Sequence, residues 1–136
     1  MSELSDLRWR QNQKISEKNQ CERRIADIDG KLRRLEAAKR SLSGYKSEAK
    51  SKKKNAAKIP EALTPWEGNK RNSYSNNADL LDSSMEGYYK ACDRALDAVC
   101  DAITSLENER SNQYGLLGHL ISAINSIGNE IEKFLN

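Results

Sequence analysis

Between Tyr74 and Leu106, a step that alternates between four and three residues lands on an apolar side chain every time: Tyr74, Ala78, Leu81, Met85, Tyr88, Cys92, Ala95, Val99, Ala102 and Leu106. A period near 3.5 residues sustained over ten positions is that of a helix burying one stripe against a neighbour. After Leu106 one extra step of four reaches Arg110. The alternation then resumes through Gln113, Leu117, Leu120, Ile124, Ile127, Ile131 and Phe134. Such an insertion is a stutter, expected to unwind a supercoil locally. Gly115, Gly118 and Gly128 fall in this last part, so a break near Gly115 into a third short helix is the alternative reading.

A second stripe starts at Leu4 and runs through Leu7, Gln11, Lys14, Lys18, Cys21, Ile25, Ile28, Leu32, Leu35, Lys39 and Leu42. Eight of those twelve positions are apolar, enough for one long helix with a weak polar stretch at Gln11, Lys14 and Lys18. Composition excludes the competitors. Aromatics make up 6% of 136 residues, with two prolines and seven glycines, too few for a turn-rich sheet protein. The 23 Lys and Arg nearly cancel the 20 Asp and Glu, unlike a disordered chain.

The first stripe fades after Tyr45 into Lys46-Ser47-Glu48-Ala49-Lys50-Ser51-Lys52-Lys53-Lys54-Asn55, and Pro60 and Pro65 follow. This reads as a linker. Its far end, Thr64-Pro65-Trp66-Glu67, has the hydroxyl cap, first-turn proline and third-position Glu of a capping box. The expectation is therefore a single all-α domain over 1–136. It is a long antiparallel, coiled-coil-like hairpin with helix 1 over about 2–50, a lysine-rich linker over about 51–64 and helix 2 over about 65–134. Those helices would be roughly 70 and 100 Å long. A hairpin has one seam and no enclosed core, so Leu96, Ile103, Leu116 and Ile121, off the stripe, would stay wet without a second chain. Pairing into a bundle with a partner chain, or self-association, is expected, with the contact on Leu81, Met85, Tyr88, Ala95, Val99, Ala102 and Leu106.

Charge is divided unevenly. Residues 1–60 carry 17 basic against 8 acidic side chains, net +9, and residues 61–136 carry 6 against 12, net −6. The asymmetry favours antiparallel pairing of the two helices and acts more on specificity than on strength.

Catalytic resources are scarce, and the expectation is a protein that is not an enzyme and needs no cofactor. His119 has no Cys or His at ligand spacing, and there is no Gly-rich phosphate loop. Asp27 with Asp29 and Glu107 with Glu109 are ordinary helix-surface charges. Cys21 and Cys92 sit on the stripes as small apolar side chains, and buried thiols are the reading for all three cysteines, Cys100 included. Antiparallel pairing about the linker would bring Cys21 near Cys100, so a cross-hairpin disulfide is the alternative. The run Lys50 to Lys58 raises nucleic acid and anionic lipid, but nearby aromatic platforms are missing apart from Tyr45 and helix 2 is acidic, so a solvated linker is preferred. No apolar run approaches a membrane span, and Met1-Ser2-Glu3-Leu4-Ser5-Asp6 lacks the pattern of a cleaved signal. A cytoplasmic location is expected.

Trp66-Glu67-Gly68, between two long amphipathic helices, resembles the Trp-x-Gly turn of the WXG superfamily, helical hairpins of type VII secretion. The length beyond a single short hairpin, the polar-interrupted first helix and the lysine-rich segment make the chain most similar to the small helical accessory proteins of LXG-type toxins in Gram-positive bacteria. That resemblance implies a secretion adaptor or targeting chaperone that binds the toxin's helical leader domain, with a second small helical protein as a further partner. It also implies export without a cleaved signal. The superfamily's Tyr-x-x-x-Asp/Glu export signal is matched in letters by Tyr89 and Asp93, but inside helix 2, where an ordinary helix-face pair is the preferred reading. A general coiled-coil scaffold is the competing function, and a nucleic-acid-binding hairpin using the lysines a third.

Overall fold

The structure, a computed structural model, describes the backbone of residues 2–62 and 69–136, and their side chains except those of 53, 56–62, 69–75 and 78. The chain is all-α, a helical hairpin of two helices, α1 (Glu3–Ala62) and α2 (Asn69–Leu135), and no strand occurs among the described residues. Trp66, Gly68 and the capping box around them lie outside the described residues.

α1 begins on a hydroxyl cap. The Ser5 amide donates to Ser2 Oγ at 3.1 Å, and Glu3 and Asp6 set negative charge in the first turn, where the helix dipole favours it. The expected end near Lys50 is corrected: α1 continues twelve residues further, to Ala62. The lysine-rich stretch contains neither Gly nor Pro before Pro60, and Lys, Ala and Glu are strong helix formers. Its polarity marks a solvated helix rather than a linker. α2 runs through Gly115 and Gly118 unbroken, so the alternative of a third helix does not hold.

Two compact units divide the chain. Unit 1 joins Met1–Arg34 to Ile103–Asn136. Its pairing is antiparallel: Gln11 lies beside Gly128, Cys21 beside Gln113 and Asp29 beside Arg110. Cys21, Ile25 and Leu120 form its core cluster, with Leu117 packed against it. The Cys21 thiol donates to the Gln113 carbonyl at 3.1 Å and stays within 3.3 Å of its side-chain oxygen. Gln113 is thirteen residues beyond Cys100 on the same helix, about 20 Å, so the Cys21–Cys100 disulfide is excluded. The longer α1 is the reason, because it moves the turning point of the hairpin towards the C-terminus. None of the three cysteines is in a disulfide.

Unit 2 is Leu35–Ala102. Its seam on α1 passes through Leu35, Ala38, Leu42, Lys46 and Ala49, whereas Lys39, expected on the stripe, is exposed. Ala49 at 1% and Cys92 at 5% exposure are the most buried of its described side chains.

The α2 stripe is corrected in phase. Among the buried and half-buried side chains, those that continue the seam are Met85, Tyr89, Cys92, Leu96 and Val99 in unit 2. In unit 1 they are Ile103, Leu106, Arg110, Gln113, Leu117, Leu120, Ile124, Ile127 and Ile131. Steps of four and three alternate along this whole series, so no stutter follows Leu106. Leu96 and Ile103 belong to the seam, and Ile103 is only 6% exposed. Leu116 and Ile121 do remain outside it.

Candidate docking face and seam clamps

Part of the apolar stripe running from Tyr74 to Leu106 does not face α1: among its described side chains Leu81 and Tyr88 are exposed. In unit 2, Met85, Cys92 and Val99 enter the seam, while Leu81 and Tyr88 are 43% and 47% exposed. Ala95 and Ala102 sit half-buried at the edge, with Ala91 and Ala98 exposed one turn further out. Positions seven apart share a helix face, so Leu81, Tyr88, Ala95 and Ala102 form one continuous edge beside the seam. The expected seven-residue contact therefore splits between this edge and the positions covered by α1, namely Met85, Val99 and Leu106.

α1 extends that edge with Tyr45, half-exposed like Tyr88. Partial desolvation, the adjoining Cys92 thiol and the charges of Glu48 and Tyr45 together push the Tyr88 phenol above its usual range. Tyr45, Glu48 and Cys92 thus all lie near the Tyr88 phenol. Rings with an apolar body and a polar rim, beside a row of alanines that admits close approach, suit the docking of another helix.

The opposite edge of unit 2 is polar and engaged. Lys46 Nζ donates to Asp93 Oδ1 at 2.5 Å and stands 5.2 Å from the centre of the Tyr89 ring. The hydrogen bond to Asp93 raises the Lys46 ammonium above the usual lysine range, against partial desolvation that works the other way. Tyr89 and Asp93, the letters of an export signal, are placed here on one cation of the opposing helix. Unit 1 repeats the arrangement. Arg110 Nε is buried 2.7 Å from Asp29 Oδ1, an ion pair without hydrogen-bond alignment, and the guanidinium stands 5.3 Å from the Tyr114 ring. In each unit a seam cation thus stands beside a carboxylate across the pair and a tyrosine.

Unit 1 also has an open groove of about 560 Å³ in which Gln13 and Lys14 of α1 face Ala123 and Ile127 of α2, with Trp9 at its rim. Trp9 is 64% exposed. Trp9 and Tyr45 lie off the apolar repeat, and Lys46 holds a seam position where a charge gives no apolar signal, so the stripes reveal none of the three. Among the described residues no group of three or more Cys, His, Asp or Glu could hold a metal, and no helix is long and apolar enough to cross a membrane. His119 is exposed.

A family model described as YwqH-like matches residues 10–129, which takes in most of both units. No curated protein and no solved structure matches the chain.

Proposed function

The chain belongs to the YwqH-like family, and on that premise we propose that it is a non-enzymatic adaptor, a helical hairpin that pairs with another helical protein. The observation that carries this reading is the breadth of the α2 stripe: α1 covers Met85, Cys92 and Val99, and leaves Leu81 and Tyr88 wet. A contiguous apolar edge rimmed by polar groups is what a protein interface offers before its partner arrives.

The partner class we assign is the helical leader domain of an LXG-type toxin, with a second small helical protein alongside. The adaptor acts in the cytoplasm and delivers its cargo to a type VII machine without a cleaved signal. The Trp66-Glu67-Gly68 resemblance and the hairpin plan support this assignment. Co-expression of the full chain with a leader domain encoded beside it tests it. Capture of the leader is expected, and Tyr88→Asp or Ala98→Glu should abolish it with helicity unchanged. Capture that ignores both substitutions would remove the docking face from the reading. Steeply salt-dependent binding to DNA in place of capture would replace the adaptor by a phosphate-binding hairpin.

A further inference from the structure

Two antiparallel helices leave a furrow along each side of their seam, and in unit 1 one of these furrows is open. Its wide end is the groove of about 560 Å³ with Trp9 at the rim, and a smaller hollow of about 180 Å³ follows between Gln20 and Arg24 of α1 and Leu116 of α2. Glu17 lines both, so the two are parts of one channel. From Arg10 to Arg24 the channel follows fourteen residues of α1, about 21 Å or about four turns.

The two walls differ in chemistry. α2 supplies mainly apolar side chains, Leu116, Leu120, Ala123 and Ile127. α1 supplies mainly polar ones, and their charges do not cancel. Lys14 is paired with Glu17 at 3.5 Å, whereas among the described residues no ion pair engages Arg10 or Arg24. Both arginines are exposed, and a spacing of two heptads sets them on one face of α1. Among the residues lining the α2 wall only Glu130 is charged, at the Trp9 end.

From this pattern we infer that the channel takes one amphipathic α-helix of another protein, apolar towards α2 and carrying, on the flank towards α1, carboxylates fourteen residues apart that reach Arg10 and Arg24. A channel of this length between two helices suits a third helix, which satisfies its own backbone groups and asks only side-chain contacts of the walls. An extended segment would need a sheet edge to pair with, and no strand occurs among the described residues. Glu130 calls for a cation on the opposite flank, beside the carboxylate for Arg10, and so sets the direction in which the helix lies. Trp9, 64% exposed, is the anchor that the incoming helix covers. The channel shares no residue with the edge of unit 2, and the inference does not rest on the adaptor role proposed above.

Fluorescence anisotropy of a labelled synthetic peptide on the full chain tests it. The probe is a three-heptad helix with a leucine stripe, two glutamates two heptads apart on one flank and a lysine on the other flank beside the first glutamate; its twin has every charge reversed. The acidic peptide should bind about tenfold more tightly than the twin, and Arg10→Glu with Arg24→Glu should invert that preference with the circular dichroism unchanged. Trp9→Ala should weaken the acidic peptide, and Tyr88→Asp, which tests the edge of unit 2, should leave it bound as before. Equal binding of the twins, a preference that survives the arginine change, or loss of the peptide on Tyr88→Asp overturns the inference. Should the charge-reversed chain lose helicity, Arg10→Gln with Arg24→Gln takes its place and must abolish the preference. A chain that ignores the peptide and sediments as a dimer that Trp9→Ala dissociates would replace the acidic partner by a second copy.

Discussion

Lys46 occupies a seam position of α1, yet its ammonium reaches Asp93 Oδ1 at 2.5 Å and the face of Tyr89 at 5.2 Å. A cation on an apolar stripe lowers stability in exchange for pairing specificity, and here the carboxylate that rescues it comes from the other helix. The consequence is asymmetric. Asp93→Asn strands the ammonium at the seam and should lower the melting midpoint, whereas Lys46→Met combined with Asp93→Asn should restore it or raise it. Thermal unfolding followed by circular dichroism checks the pair, and a double variant weaker than Asp93→Asn alone would refute the account.

The same two tyrosine-lined neighbourhoods set the response to alkali. Lys46 and Tyr88 both hold their protons more tightly when folded than when unfolded. Below the ordinary values of 10.5 for Lys46 and 10.0 for Tyr88 both states carry the proton and the stabilisation is complete. Above them the unfolded chain releases protons that the folded one retains, so stability falls as pH rises. Melting midpoints should be level up to about pH 9 and decline from pH 10 upwards. Tyr88→Phe should flatten part of that decline, and an unchanged slope would remove the phenol from the explanation.

Gly115 and Gly118 lie inside α2 with nothing within 4 Å of where a side chain would begin. Neither is needed for close approach, so each carries only the helix cost of glycine, about 1 kcal/mol relative to Ala. Gly115→Ala and Gly118→Ala should each stabilise the chain by about that amount in urea unfolding. A loss of stability at either would refute the account that the glycine carries only its helix cost.

The helical hairpin was legible because a 3.5-residue apolar step over a hundred residues admits no other fold. Its phase on α2 was not. Apolarity marks covered and uncovered positions alike, so Leu81, Tyr88, Ala95 and Ala102 were traced in place of Tyr89, Leu96 and Ile103, one residue and a quarter-turn away. The end of α1 was misplaced because a lysine run loses its stripe without losing helix propensity. Lys46 was hidden for a related reason. A charge at a seam position carries no periodic signal of its own and is recognised only when Asp93, 47 residues away, is seen across the pair.

Binding energy and folding energy should reside on different residues of α2. Ile103 is 6% exposed, and a charge there would be buried without a partner at a cost of several kcal/mol. Ile103→Asp should therefore abolish helicity and, with it, any association. Ala98 is exposed on the outer edge, so Ala98→Glu should leave the circular dichroism and melting midpoint nearly unchanged, within about 0.5 kcal/mol. Its effect should fall on partner capture alone. Lys52 and Lys54 are exposed on the polar continuation of α1, and changing both to Gln removes only screened, long-range attraction. Capture should survive that change with a slightly slower association rate and a weaker dependence on salt. Measured side by side, the three variants separate a docking face from a structural seam and from an electrostatic patch. If Ala98→Glu stayed folded and still captured the partner while the lysine pair lost it, binding would belong to the basic face of α1 instead of the apolar edge of α2.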